Sequence, residues 1–133
     1  MAVSIYKNDI PKNLDLGDEI AVDTETMGLK SVRDRLCLVQ IADSEGSVYL
    51  VQIEKGQKQA INLAKVMTNE KIVKIFHYAR FDIGILQRNL NFMTRNVYCT
   101  KIASKLARTF SQSHGLKNLV KEILSIDISK EQQ

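Results

Sequence analysis

One segment near the N-terminus, residues 19–29 with the sequence EIAVDTETMGL, constrains the fold of this chain more than any other. Its first seven residues predict a β-strand, and the side chains of a strand alternate between its two faces. The residues expected on one face are Ile20, Val22 and Thr24, and those expected on the other are Ala21, Asp23 and Glu25. Gly28 then breaks the strand. The segment therefore predicts a strand that presents two carboxylates side by side near its end.

Two neighbouring carboxylates repel each other, and their pKa values rise unless a cation lies between them. Oxygen ligands of this kind suit Mg²⁺ or Mn²⁺, so Asp23 and Glu25 are candidate metal ligands. Short motifs also occur by chance. The plainer interpretation of Asp-x-Glu is a strand that runs into an acidic surface turn, and the choice between the two depends on the rest of the chain.

The hydrophobic pattern of the 133 residues predicts a single α/β domain. Short connections between the first strands favour an antiparallel meander, and a later alternation of strands and helices favours βα units. We expect strands near residues 3–6, 19–25, 36–42, 48–53 and 72–76, and helices near residues 60–67, 79–90, 102–110 and 116–123. The nearly unbroken apolar run at 36–42 is typical of a strand covered on both faces. The predicted fold is a mixed β-sheet flanked by helices.

A second acidic position follows the predicted strand at residues 72–76. His77 ends this strand, and Asp82 lies in the first turn of the next helix. Ligands of open α/β sheets bind where strands end and helices begin, which makes Asp82 a candidate site residue. An acid in the first turn also has a structural explanation, because it interacts favourably with the positive end of the helix dipole.

Composition limits the classes of protein to which the chain can belong. The net charge is +4, and the stretch from Lys101 to Lys121 contains five basic residues and no acid. This stretch is compatible with a phosphate-binding surface or with a solvated helix face.

Cys37 and Cys99 form no Cys-x-x-Cys pair and are expected to be buried, reduced thiols. We find no signal peptide and no apolar run near the ~20 residues that cross a bilayer, so we expect a cytoplasmic protein without a membrane partner.

Five segments in order along the chain carry a family resemblance. They are IAVDTETMGL at 20–29, LCLVQI at 36–41, FHYARFD at 76–82, TKIAS at 100–104 and HGLKNLV at 114–120. This series resembles the DEDD superfamily of 3′-5′ exonucleases, whose fold is ribonuclease H-like, and is most similar to the short single-domain bacterial form of ribonuclease D. The resemblance implies hydrolysis of the 3′-terminal phosphodiester of RNA or single-stranded nucleic acid, with release of nucleoside 5′-monophosphates.

The resemblance also implies roles for individual residues. Asp23 would bridge two divalent cations, Mg²⁺ or Mn²⁺, while Glu25 would complete the first metal site and Asp82 would hold the second cation through water. The residues implied to contact the substrate are Thr24, Met27, Leu29, His77, Phe81 and Lys101. For Met27 and Leu29, which would pack on the terminal base, ordinary core packing is an equally good interpretation.

The chain departs from the family pattern at its C-terminal end. The family's third motif, Tyr-x-x-x-Asp or His-x-x-x-x-Asp, supplies a fourth carboxylate from a helix that would follow the last residues of this sequence. Asp127 and Glu131 are the only carboxylates near the end, and nothing in the sequence places them at the site. We therefore expect residues 1–133 to form one exonuclease domain without that helix. The apolar surface that the helix would cover is then exposed, which favours self-association.

Two other interpretations remain open. The chain is also compatible with a decayed exonuclease that binds nucleic acid without cutting it. A different two-metal enzyme of ribonuclease H type, cutting internally, is the third alternative.

Overall fold

A computed structural model describes residues 2–30 and 32–129 of the chain. The strands are β1 (Val3–Lys7), β2 (Glu19–Thr26), β3 (Leu36–Asp43), β4 (Val48–Gln52), β5 (Val73–Phe76) and β6 (Val97–Cys99). The helices are α1 (Ile61–Thr68), α2 (Ala79–Leu90), α3 (Thr100–Ala107) and α4 (Leu116–Leu124). No helix within these two ranges is long and apolar enough to span a membrane.

The six strands form one mixed sheet in the order β1-β4-β3-β2-β5-β6. Strands β2, β3 and β4 form an antiparallel meander, while β1 pairs in parallel with β4, β5 with β2, and β6 with β5. The predicted α/β architecture with an N-terminal meander is therefore confirmed. Strand β6 was not predicted, because three residues are too short to display a period of two. The central strand β2 lies where the pairing changes from antiparallel to parallel.

The alternation predicted for β2 is confirmed. Ile20, Val22 and Thr24 are buried, whereas Asp23 and Glu25 are exposed. The buried face packs in one core cluster with α1 and α2, whose fully buried contributors are Leu63, Met67, Ile85 and Leu86. Burying side chains of this size contributes about 1.5–3 kcal/mol each, so this face fixes the position of β2.

The expectation that residues 36–42 are covered on both faces is wrong. In β3, Val39 and Ile41 are buried, but Leu38 and Gln40 on the other face are only half-buried. The reason is that the main core cluster packs against one face of the sheet. A register shift between Glu25 and Thr26, which pair with Leu38 and Leu36, places Leu36 on the buried face as well.

Two smaller expectations also need correction. Cys37 and Cys99 are free thiols, as expected, but both are half-buried rather than buried. The helix predicted at 102–110 ends at Ala107, and Phe110 lies beyond it with 78% of its surface exposed. The Arg108 guanidinium donates to Ser104 Oγ and to the Ser113 carbonyl, contacts that belong to the turn after the helix.

Candidate active site

The exposed face of β2 presents the two carboxylates of the Asp-x-Glu motif to the solvent. The antiparallel register places Gln40 of β3 directly opposite Asp23. Gln40 Nε2 also lies 3.4 Å from Glu25 Oε1, where it donates a hydrogen bond. Strand pairing therefore fixes both acids on one open surface of the sheet.

Asp82 reaches β2 from the first turn of α2 and is 4% exposed. Its Oδ1 accepts one hydrogen bond from the Thr24 backbone N–H, at 3.1 Å, and another from Thr24 Oγ1, at 2.7 Å. Thr24 belongs to the buried face of β2, so the contact ties the start of α2 to the strand between the two exposed acids. Sequence reasoning placed Asp82 near the site but missed this use of Thr24, whose expected contact with substrate stays a prediction.

Burial is the largest cause of a rise in the pKa of Asp82 from its ordinary value of 3.8 to about 6. The Thr24 hydrogen bonds act in the opposite direction, and the negative charge of Asp23 raises the pKa further. Asp82 therefore lies close enough to Asp23 for the charge of Asp23 to disfavour its ionised form.

The donor set formed by Asp23, Glu25 and Asp82 fits a hard divalent cation in its chemistry. All its ligand atoms are carboxylate oxygens, and a cation would relieve the desolvation and repulsion that raise the Asp82 pKa. Across residues 2–30 and 32–129, however, no three or more Asp, Glu, His or Cys side chains are already arranged as a metal-binding group. In this geometry Oδ1 of Asp82 is directed at Thr24.

The loop between β2 and β3 exposes two apolar side chains beside the acids. Met27 is 69% exposed and Leu29 is 89% exposed, so the interpretation of these residues as core is wrong. Their expected contact with a nucleic-acid base stays a prediction.

Asp34, which sequence reasoning missed, organises this loop from a buried position. Its carboxylate accepts from the Lys30 backbone N–H at 2.9 Å and from Arg33 Nε at 2.7 Å. The Arg33 hydrogen bond is the main reason that the pKa of Asp34 is lowered. A Cβ atom on Gly28 would lie 2.4 Å from Asp34 Oδ2, so Gly28 is required for close approach as well as for ending the strand. The only signal in the sequence was that Asp favours turns.

His77 follows β5, and Lys101 lies in the first turn of α3, which follows the neighbouring strand β6. His77 Nδ1 is 2.9 Å from Thr100 Oγ1, and burial, followed by the charge of Lys101, lowers the pKa of His77. Both residues line a groove of about 590 Å³ together with Lys117 and Asn118 at the start of α4. The structure thus places two predicted substrate contacts in one basic groove, next to the strand that pairs with β2.

The other candidates have mixed outcomes. Phe81 is half-buried and packs partly against the core cluster. Asp127 pairs with Lys121 at 3.0 Å, and Glu131 lies outside the described residues.

Comparisons with known proteins identify relatives of this chain. A family model described as 3′-5′ exonuclease matches residues 6–133. Ribonuclease D of Zymomonas mobilis is 32% identical over 117 residues, which cover 88% of this chain and 30% of that protein. The chain thus spans about a third of the length of this relative.

Two solved structures of Brucella melitensis NrnC are also similar. The structure with bound Mg²⁺ shares 46% sequence identity at a TM-score of 0.93, over 98% of this chain and 65% of the NrnC chain. The structure bound to pGG shares 46% identity at a TM-score of 0.93, over 100% of this chain and 66% of the other. The strand order, the paired acids of β2 and the matched range together show that this chain belongs to the 3′-5′ exonuclease family, with a ribonuclease H-like fold similar to that of ribonuclease D.

Proposed function

We propose that this chain is the catalytic domain of a 3′-5′ exonuclease that hydrolyses the 3′-terminal phosphodiester of RNA or another single-stranded nucleic acid. The observation that carries the proposal is the contact between α2 and β2, in which Thr24 holds Asp82 beside Asp23. The NrnC structures with Mg²⁺ and with pGG support a divalent cation and a nucleotide-type ligand for this site.

Each acid has a separate role in this proposal. Asp23 and Glu25 offer oxygen atoms on the open face of β2, with Gln40 orienting Glu25. Asp82 adds a third carboxylate whose position is fixed by Thr24. Two divalent cations, when bound, supply an activated water molecule and stabilise the leaving 3′ oxygen.

The surrounding residues would position the substrate. Met27 and Leu29 offer exposed apolar surface next to the acids, against which the terminal base can pack. Lys101 and His77 line the neighbouring groove, where a cationic side chain and an imidazole suit a phosphate oxygen. The products expected from this arrangement are nucleoside 5′-monophosphates.

We further propose that a fourth carboxylate reaches the site from polypeptide that packs on the open apolar face of α3 and α4. An apolar groove of about 380 Å³ runs between these helices, and Ile123 and Leu124 beside it are 64% and 60% exposed. A second copy of the chain is one source of that polypeptide. Sedimentation of the wild type and of Ile123→Lys tests it, because a charge in the groove should lower the mass of the self-associated species.

A non-catalytic nucleic-acid-binding module is the second candidate function. The observation that favours it is that the three acids are not already arranged as a metal-binding group within the described ranges. Such a module would bind RNA with a strong dependence on salt and would leave it intact.

The test combines Mn²⁺ binding with RNA cleavage. Isothermal titration measures Mn²⁺ binding to the wild type and to Asp23→Ala, and a gel follows a 5′-labelled single-stranded RNA. We expect Mn²⁺ binding and stepwise shortening from the 3′ end, both lost in Asp23→Ala.

Glu19→Ala is the matched control, since Glu19 is an exposed acid at the other end of the same strand and on the same face. It should bind Mn²⁺ as the wild type does. If the wild type leaves the RNA intact and Asp23→Ala binds Mn²⁺ as the wild type does, the exonuclease proposal is refuted. Salt-sensitive binding of RNA by the wild type without cleavage would favour the binding module.

A further inference from the structure

The outer face of α2 carries a groove that the proposed chemistry does not use. Its volume is about 390 Å³, and the residues that line it are Tyr78, Arg80, Phe81, Gly84 and Arg88. The groove begins at the first turn of α2, the turn that also carries Asp82 on its inner side. It therefore starts at the turn of α2 that delivers Asp82 and leads away from that turn along the helix.

Gly84 lies in the middle of α2, where a glycine destabilises a helix relative to alanine. The usual reason for such a glycine is a close contact that leaves no room for a Cβ atom. A Cβ atom on Gly84 would meet no other atom within 4 Å. Packing within the described part of the chain therefore does not require this glycine, and the open space suits a ligand that comes close to the helix backbone.

Two arginines flank Gly84 on the same side of the helix. Arg80, Gly84 and Arg88 are spaced four residues apart, so they form one stripe, with the arginines about 12 Å apart along the helix axis. Both arginine side chains are exposed. Arg88 donates to the Val32 carbonyl at 2.7 Å, and neither arginine forms an ion pair with any residue in the described ranges. The stripe therefore has a positively charged side chain at each end and exposed helix backbone at Gly84 between them.

Tyr78 adds an aromatic surface at the end of the groove nearest the site. It is 50% exposed and has a left-handed backbone conformation (φ 71°, ψ 49°), which is rare and costly for a bulky residue. The Lys101 ammonium lies 4.6 Å from the centre of its ring. An exposed ring with a cation beside it is the combination on which a nucleic-acid base stacks next to its phosphate.

We propose that this groove carries the 5′-side of a single-stranded nucleic acid whose 3′ end lies at the carboxylates. Arg80 and Arg88 bind its phosphates, a base stacks on Tyr78, and the backbone passes over Gly84. The inference rests on the proposed function, because it uses the direction of the strand at the site. Charge selects this occupant over a packed protein helix, since a polyanion satisfies both arginines at once.

The experiment measures binding without cleavage. Fluorescence anisotropy follows a 5′-labelled single-stranded RNA of about 12 nucleotides, in EDTA, over a range of salt concentrations. Arg80→Gln/Arg88→Gln should weaken binding about tenfold and should lower the salt slope by about 1.4, because each phosphate contact on a single strand contributes about 0.7. Gly84→Leu, which changes no charge, should also weaken binding about tenfold by filling the groove.

Two controls accompany these variants. Lys65→Gln/Lys71→Gln removes two exposed positive charges outside the groove and should bind as the wild type does. The second control, Gly84→Ala, should bind more tightly than Gly84→Leu does, because its methyl group takes up less of the space over the helix backbone. Circular dichroism verifies that every variant is folded.

Equal affinities of the groove variants and the controls would overturn the inference and leave the proposed function intact. The same holds if the variants change only the molar mass measured by light scattering, since the groove would then contact protein. A wild-type chain that binds no RNA also overturns it, while the Mn²⁺ titration of Asp23→Ala decides the proposed function separately.

Discussion

The raised pKa of Asp82 makes a prediction about the stability of the fold. This carboxyl group is buried, and it shares the site with Asp23, so its ionised form is disfavoured in the folded state. Asp82→Asn removes the charge and keeps an oxygen atom that accepts both hydrogen bonds from Thr24. We expect Asp82→Asn to be more stable than the wild type near neutral pH.

The size and the pH range follow from the two pKa values. Below about pH 3 the carboxyl group is protonated in both the folded and the unfolded chain, so it does not lower the free energy of unfolding. Between its ordinary value of 3.8 and the folded value of about 6, the folded state binds more protons than the unfolded state, so the free energy of unfolding falls as the pH rises. A pKa difference of about 2 corresponds to at most about 3 kcal/mol. Screening by solvent at the open side of the site reduces this to about 1–2 kcal/mol.

The assay is urea unfolding followed by circular dichroism, because the chain contains no tryptophan. The difference in unfolding free energy between Asp82→Asn and the wild type should rise from near zero at about pH 3 to about 1–2 kcal/mol at about pH 7. Taking the difference cancels other acids such as Asp34 and Asp43, whose lowered pKa values act in both proteins. A difference that does not change with pH would refute the reasoning. Saturating Mg²⁺ should stabilise the wild type more than Asp82→Asn, since a cation offsets the charge.

Three further predictions concern the loop, the groove and the strand. Gly28→Ala should lower the unfolding free energy by about 1–3 kcal/mol in urea titrations, because its Cβ would lie 2.4 Å from Asp34 Oδ2. Gly84→Ala should raise it by about 0.5–1 kcal/mol, since the added methyl meets no atom within 4 Å and alanine favours the helix; a loss of stability would contradict the open-groove geometry. Thr24→Val removes one of the hydrogen bonds that lower the pKa of Asp82, so the carboxyl resonance followed by NMR should titrate at a higher pH than in the wild type; an unchanged midpoint would show that the Thr24 hydroxyl does not affect the carboxylate.

Regular segments of the chain could be predicted from sequence, and short or locally determined ones could not. Strand β2 and helix α2 were predicted within a residue, because each carries several turns or alternations of apolar side chains. Strand β6 has three mostly exposed residues and depends on pairing with β5. The burial of Lys74 could not be predicted either. It interrupts an apolar strand, yet it is fully buried and its ammonium donates to the carbonyls of Asn69 and Ile72.

The candidate site divides in the same way. Asp23 and Glu25 share a face because side chains alternate along a strand. Their spacing of two residues is therefore enough to predict that both point to the same side of β2. Asp82 and Thr24 are 58 residues apart in the sequence, and the contact between them depends on how α2 packs against the sheet. The family resemblance placed Asp82 at the site, but no local pattern indicates that a threonine on the apolar face would hold it.

This use of Thr24 links the stability of the core to the charge of the site. Thr24 lies between two exposed acids, and its side chain points to the buried face. Through Asp82 it joins the strand to the first turn of α2, so the helix that completes the core also delivers a carboxylate into a negative site. The repulsion that results is part of the folded state, because the helix cannot withdraw Asp82 without also withdrawing Ile85 and Leu86 from the core. A bound cation therefore offsets the electrostatic repulsion that is present at Asp82 in the folded state. The affinity for the cation then depends on the packing of α2 as well as on the three carboxylates.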